Sequence, residues 1–291
     1  MPLHQSPTQE TLPGFMSAVE TARSTMTREE WRDFCASTPA KRWREFLAKD
    51  PYTRRALETP RGYAGDAVVM DYAYGHASIL DTLTASCDVG KAVYQATHGS
   101  RMSASARLRL DVIAREIRTL AEQRDGISVA SFASGHAREL DMLRDIADLI
   151  TRFHAVDGDA VSVAEVEATH GNTFRILPVQ RNVFRMRKDA FEPVDMAYSM
   201  GLFDYLEDKP AERIVDLMAG LVAPRGRLVI GNLLPEAGNL AYCEFAMDWW
   251  MIPRSMEAME RLGQSLAHRG GWTWDVQGHG CFAYLIADRE G

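Results

Sequence analysis

From Gly126 onward the chain alternates short apolar runs with helix-length amphipathic stretches, and that alternation admits few folds. Residues 128–133, 153–156, 173–179, 194–199 and 227–231 read as strands, with helices expected over about 137–150, 160–169 and 210–221. Pro224-Arg225-Gly226 breaks the chain before the fifth strand. A helical stretch over about 240–267 then leads to 273–277 and 281–287, which read as an antiparallel hairpin. Strands alternating with helices imply a parallel sheet with right-handed crossovers. The expectation is an α/β, doubly wound sheet whose last strand runs against the others, with ligands bound at the carboxyl ends of its strands.

Before residue 125 the pattern is helical. Thr27 with Glu30 three residues on predicts a capping box for a helix over 28–36. Thr38-Pro39 starts a second helix running to about 49, with Trp43, Phe46 and Leu47 on one face. Further helices are expected over 50–58, 64–74, 88–98 and about 103–124, the last with Leu110, Ile113, Ile117 and Leu120 as its apolar stripe. The chain therefore divides into residues 1–125, a helical cap, and 126–291, a ligand-binding sheet domain.

Composition narrows the function. Against 33 basic residues stand 40 acidic ones, a net charge of −7, which argues against nucleic acid as the main partner. The four cysteines (Cys35, Cys87, Cys243, Cys281) form no CxxC pair, so neither a zinc site nor a disulfide framework is expected, and a reducing cytoplasm is the simplest setting. Residues 1–10 are polar and suggest no leader peptide, and no apolar window is long enough to span a membrane. No HExxH metal motif and no GxSxG elbow is present.

Four segments carry site signals. Ser134-Gly135-His136 follows the first strand directly; a glycine there lets backbone approach a ligand and presents helix N–H groups, although it also serves as an ordinary turn. Asp157 closes the second strand 22 residues later, where an acidic side chain can accept both hydroxyls of a ribose; Asp159 could do the same or cap the next helix. Tyr198-Ser199-Met200-Gly201-Leu202-Phe203-Asp204-Tyr205 leaves room at the end of strand four, with aromatics that wall a ligand or fill the core. The loop Arg61-Gly62-Tyr63-Ala64-Gly65-Asp66 is unusual for a plain helix junction. A basic group, Arg181, Arg185, Arg187 and Lys188, offers a contact for a carrier-protein or coenzyme A phosphate, or is simply a solvated face. Met247, Trp249, Trp250, Met251 and Met256 read equally as core and as the cover of an acceptor pocket.

On these residues the chain resembles the class I S-adenosylmethionine-dependent methyltransferases. Within them it is similar to the bacterial group named for 3-hydroxypalmitic acid methyl ester biosynthesis, which includes azetidine-2-carboxylate synthases. The shared stretches are 61–66, the Gly135–Glu139 turn, 198–206, Gly231-Asn232 and Asp248-Trp249. The resemblance spans roughly residues 55–291. Ser134 and His136 stand where that group usually has Cys and often Pro. His136 could face the substrate, or lie exposed at a helix start.

The resemblance implies a Rossmann-like doubly wound seven-stranded sheet with an N-terminal helical lid, which would exclude water from the sulfonium. It implies S-adenosylmethionine as co-substrate or sole substrate, without a metal. Gly135 and its neighbours would meet the methionine part, Asp157 the ribose, Asn182-Val183-Phe184 the adenine, and Ser199 with Met200 the sulfonium. Arg61, Ser134, Gly158 and Gly201 complete the expected binding set. Tyr63, Asp66, Tyr205 and Tyr242 are the candidates for proton transfer, needed when the acceptor is an amine or hydroxyl but not when it is a carboxylate. Methyl transfer to a small molecule in secondary metabolism is the leading expectation. Intramolecular cyclisation to azetidine-2-carboxylate with release of methylthioadenosine is the alternative, and cofactor binding without turnover is a third.

Overall fold

The computed structural model describes residues 7–8 and 10–291; most of the polar opening segment, 1–10, lies outside the described residues. Eight helices come first: α1 (Leu12–Thr25), α2 (Arg28–Ala36), α3 (Thr38–Leu47), α4 (Pro51–Glu58), α5 (Ala67–Tyr74), α6 (Leu80–Thr84), α7 (Asp88–His98) and α8 (Arg101–Arg124). Strands and helices then alternate as β1 (Ile127–Phe132), β2 (Ile150–Asp157), α9 (Ala160–His170), β3 (Ile176–Gln180), β4 (Val194–Ser199), α10 (Asp208–Leu221) and β5 (Val222–Leu233). The chain ends with α11 (Leu240–Ala246), α12 (Met256–Gln264), β6 (Trp272–His279) and β7 (Phe282–Arg289). No helix among the described residues is long and apolar enough to cross a membrane.

The sheet has seven strands in the order β3-β2-β1-β4-β5-β7-β6. β1 to β5 are parallel, and β7 alone runs against its neighbours on either side. Alternate strand residues serve opposite faces, as the two-residue strand period requires. Ala130, Phe132, Ala197, Leu228 and Ile230 pack with α10 and α12, whereas Val129, Phe153, Met196 and Val229 pack with Ile113, Ile117 and Leu120 of α8. The doubly wound, Rossmann-like expectation holds, with helices on both faces.

Three segments depart from the sequence reading. Residues 137–150 are two 3₁₀ stretches, Arg138–Met142 and Arg144–Leu149, rather than one α-helix. Their apolar residues Leu140, Leu143, Ile146 and Leu149 recur every third position, which suits three residues per turn. The stretch 240–267 is broken between α11 and α12. Asp248 adopts a left-handed φ of 50°, Pro253 lacks an amide donor, and Ile252 and Arg254 donate instead to the carbonyls of Asp204 and Leu233. Pro224-Arg225-Gly226 does not precede β5 but lies within it. The β4–β5 register jumps from Val194↔Val222 to Met196↔Arg227, so a bulge absorbs the breaker.

The described residues form two compact units, one of residues 1–107 with 237–250 and one of 108–236 with 251–291, rather than parting near 125. The physical reason is α8. It runs unbroken past residue 107, and the apolar stripe of its second half belongs to the sheet core. In the helical unit Phe15 stacks on Trp43 at 4.1 Å and meets Phe245 edge-on at 5.4 Å, which ties α11 back to α1 and α3. Buried Glu244 accepts from Arg23 Nε at 2.6 Å and Trp31 Nε1 at 2.7 Å. The Thr27–Glu30 capping box forms as expected.

Candidate functional site

The turn after β1 is conformationally unusual. Ala133, Gly135 and Ala137 have φ values of 52°, 52° and 48°. Glycine takes this region at no steric cost, whereas each alanine pays about 1 kcal/mol or more, and such strain concentrates at ligand-binding turns. The turn is pinned to β2. Ser134 N donates to the Val156 carbonyl at 3.1 Å, and Gly135 N donates to Asp157 Oδ2 at 2.9 Å.

Asp157 is the hub. Its Oδ1 accepts Asp159 N at 2.9 Å, so each carboxylate oxygen holds one backbone amide. A carboxylate offers about four acceptor positions; the amides of Asp159, Gly135 and Gly158 draw on them, and the remainder is left for a ligand. The residue is only 8% exposed, and burial raises its pKa above the ordinary carboxylate range. Asp159 is occupied otherwise: it caps α9 through Val161 N and Ser162 N and accepts Ser162 Oγ at 2.6 Å. Among the described residues Ser134 Oγ is buried without a hydrogen-bond partner. His136 is buried rather than exposed, its Nδ1 3.2 Å from Arg138 Nη2.

The turns after β2 and β3 adjoin. Arg181 N donates to the Asp157 carbonyl at 2.8 Å, and a Cβ placed on Gly158 would lie 4.0 Å from Asn182 Cα. Asn182 accepts Phe184 N at 2.9 Å, which turns the chain so that Val183 is buried and Phe184 exposed. Of the basic group, Arg187 pairs with Asp189 and Lys188 with Asp216, while Arg181 and Arg185 are exposed.

At the end of β4, Ser199 Oγ donates to the Phe132 carbonyl at 2.8 Å and so braces β4 against β1. The Met200 carbonyl accepts from Arg109 Nη1, and Arg109 lies 5.0 Å over the Phe282 ring. Gly231 lets β5 come close: a Cβ there would meet Met200 Sδ at 3.3 Å. Phe203 is core, and Tyr205 is 37% exposed. Asp204 is buried and accepts Leu233 N at 2.7 Å. Arg254 Nη1 donates at 2.8 Å both to the Phe203 carbonyl and to Asn232 Oδ1. Phe203, Asp204 and Asn232 of the sequence motifs are therefore a frame for the turn rather than its lining.

Burial raises Asp204 to about 6. A carboxyl with a raised folded pKa binds its proton more tightly folded than unfolded, so its contribution to stability falls as pH climbs from about 4 to about 6. Between those limits the stability of the protein relative to Asp204→Asn should fall by about 2–3 kcal/mol. Denaturant unfolding of both proteins at pH 4, 5, 6 and 7 checks this, and a constant difference would refute it.

In the helical unit Asp66 caps α5 through Val69 N at 2.9 Å and pairs with Arg55 at 2.7 Å, so its oxygens are committed to structure. Tyr242 is buried; its hydroxyl lies 2.7 Å from Thr53 Oγ1, which in turn donates to Asp50 at 2.7 Å. Burial holds Tyr242 well above the ordinary phenol range, which suits a structural hydroxyl rather than a base. Tyr63 is exposed and Arg61 half-buried, in a loop closed by Gly62 N on the Thr59 carbonyl at 2.8 Å. Of the four proton-transfer candidates only Tyr205 belongs to the sheet unit.

Glu139, Arg109 and Arg254 escape the sequence reading as site residues. Glu139 lies in the Gly135–Glu139 stretch, but nothing local marks the two arginines, whose partners are remote in sequence.

No family profile and no curated protein matches the chain. Among solved structures it is similar to a possible exported protein from Bordetella parapertussis, 14% identical over 87% of this chain and 97% of that one, with a TM-score of 0.56. It is also similar to a candidate methyltransferase from Thermobifida fusca YX, 15% identical over 77% and 94% of the two chains, with a TM-score of 0.53. Similarity at these identities concerns architecture, and the architecture is a Rossmann-like sheet of seven strands with flanking helices.

Proposed function

We propose that the chain binds S-adenosylmethionine at the carboxyl ends of β1, β2 and β4 and transfers its methyl group to a small-molecule acceptor. Asp157 carries this reading: a buried carboxylate at the end of β2, oriented by two backbone amides and keeping acceptor capacity, suits the paired hydroxyls of a ribose. The buried, unpartnered Ser134 hydroxyl on the adjoining turn fits a ligand that supplies its missing hydrogen bond. When bound, the cofactor supplies a methyl carbon already activated by its sulfonium. The chain's own residues then have to position and orient, which accounts for a large share of rate in such displacements. Phe184, exposed beside Asn182, offers a face for the adenine. Tyr205, at the turn after β4, is the candidate proton acceptor for an amine or hydroxyl substrate. The acidic net charge favours a small-molecule acceptor over nucleic acid. The description of the Thermobifida fusca neighbour as a candidate methyltransferase agrees with this reading.

The test is to incubate the protein with S-adenosylmethionine, alone and with carboxylate, hydroxyl and amine acceptors, and identify the nucleoside released. S-adenosylhomocysteine formed only when an acceptor is present is the expected result. Methylthioadenosine with azetidine-2-carboxylate, formed without an acceptor, assigns intramolecular cyclisation instead. Absence of calorimetric binding overturns both.

A further inference from the structure

We infer that one face of the sheet at β2 and β3 docks an acidic amphipathic helix of a partner protein, a role independent of the nucleoside site. In a doubly wound sheet each crossover between parallel strands ordinarily lays a helix over the sheet. Among the described residues the β3–β4 connection, 181–193, holds no α-helix, only the 3₁₀ turn Val183–Arg185. α9 packs on β3 from the opposite face, where Val166, Phe174 and Ile176 belong to the core shared with α8. On the α10 side this corner is covered by the connection itself, through Phe191, which stacks on His154 of β2 at 4.2 Å.

The two-residue strand period places Arg152 and His154 of β2 and Leu177 and Val179 of β3 on this face, and Arg175 and Arg181 continue the period at either end of β3. Leu177, Val179 and Phe191 are half-buried. Arg175, Arg181 and Arg185 are exposed, and among the described residues none of the three is in an ion pair. Arg152 donates Nη2 to the Pro193 carbonyl at 3.0 Å. Its Nε and both ring nitrogens of His154, a residue only 6% exposed, are buried without partners among the described residues. Buried polar groups are ordinarily hydrogen-bonded, and a carboxylate laid on this corner gives Arg152 Nε its acceptor.

Charge and shape select the occupant. Residues 175–193 carry five basic and two acidic side chains in a chain of net charge −7, so the patch complements an acidic partner. The apolar residues set between the arginines need apolar side chains from that partner, which a phosphate backbone does not supply. Pro178 lacks an amide donor on the edge strand, so the occupant lies across the face instead of adding a strand to the edge. A second copy of this chain meeting the face through a two-fold axis would set arginine against arginine. A helix with carboxylates along one side and aliphatic residues along the other meets each condition.

The test uses labelled helical peptides of about 18 residues, long enough to hold a helix, read by fluorescence polarisation. The probe carries Glu on one face and Leu on the other; one counterpart has Lys for Glu, and a second has Gln for Leu. The probe should bind about ten-fold or more tightly than either counterpart. Arg175→Glu with Arg181→Glu should weaken it by about ten-fold. Lys209→Glu with Arg213→Glu, exposed on α10, makes the same change in net charge and should leave binding within about two-fold. Thermal unfolding checks that both double variants remain folded. Equal binding of the Lys peptide, equal loss in the two double variants, or no loss in either overturns the inference. So does failure of the probe to bind, including the case in which phosphatidylserine vesicles or polyuridine bind this face instead.

Discussion

Asp157→Ala should lower affinity for S-adenosylmethionine by about a hundred-fold, the largest loss expected from any single change at the strand ends. Hydrogen bonds to a buried charge contribute roughly 1.5–3 kcal/mol each, and a ribose presents two hydroxyls to one carboxylate. The substitution also releases Gly135 N and Asp159 N, the two amides that Asp157 now holds at 2.9 Å, so the turn that carries Ser134 loses its tether. Asp159→Ala is the matching control. It removes the cap of α9, which costs about 1 kcal/mol of stability, and should leave affinity nearly unchanged. Titration calorimetry with thermal unfolding of both variants checks the pair. If Asp157→Ala binds normally and Asp159→Ala does not, the ribose belongs to Asp159.

The legibility of this chain follows the range of the interactions involved. Helix starts marked by a side chain within three residues are readable: Thr27 with Glu30, and Pro39 in the first turn of α3. α1 and α6 are absent from the sequence expectation, whereas α7 and α10, which also lack a side-chain cap, are in it. The alternation of strands and helices gave the sheet, because each strand of a doubly wound fold is bounded by its own crossover. Asp157 is singled out by its separation from Gly135, a local regularity of the segment from β1 to β2. Arg109 and Arg254 were not found, since their acceptors lie 91 and as many as 51 residues away. For the stretch 198–205 the sequence leaves its aromatics open between ligand wall and core, and burial assigns Phe203 to the core. Ligand lining and structural frame use the same residue types, and only burial separates them.

That frame yields the second large effect. Arg254→Met should destabilise the protein by about 3–5 kcal/mol, as expected when one partner of a buried charged network is removed. The guanidinium donates to the carbonyls of Phe203 and Leu206 and to Asn232 Oδ1, and it reaches Asp208 Oδ1 at 3.2 Å. Methionine fills much of the volume and satisfies none of these acceptors. It also removes one of the two arginine fields, with that of Arg109, that offset the burial of Asp204. A loss of this size corresponds to a fall in Tm of roughly 6–15 °C for a domain of this length. Adding Asp204→Asn to Arg254→Met should recover part of the loss, because a buried carboxyl that has lost one of its two arginine fields is replaced by a neutral group while Leu233 N keeps an acceptor. The carbonyls of Phe203 and Leu206 flank the turn that presents Tyr205, so loosening them should also weaken nucleoside binding where the protein still folds. If the double variant is no more stable than Arg254→Met, Asp204 and Arg254 are not coupled, and the frame is held by Arg254's neutral hydrogen bonds alone.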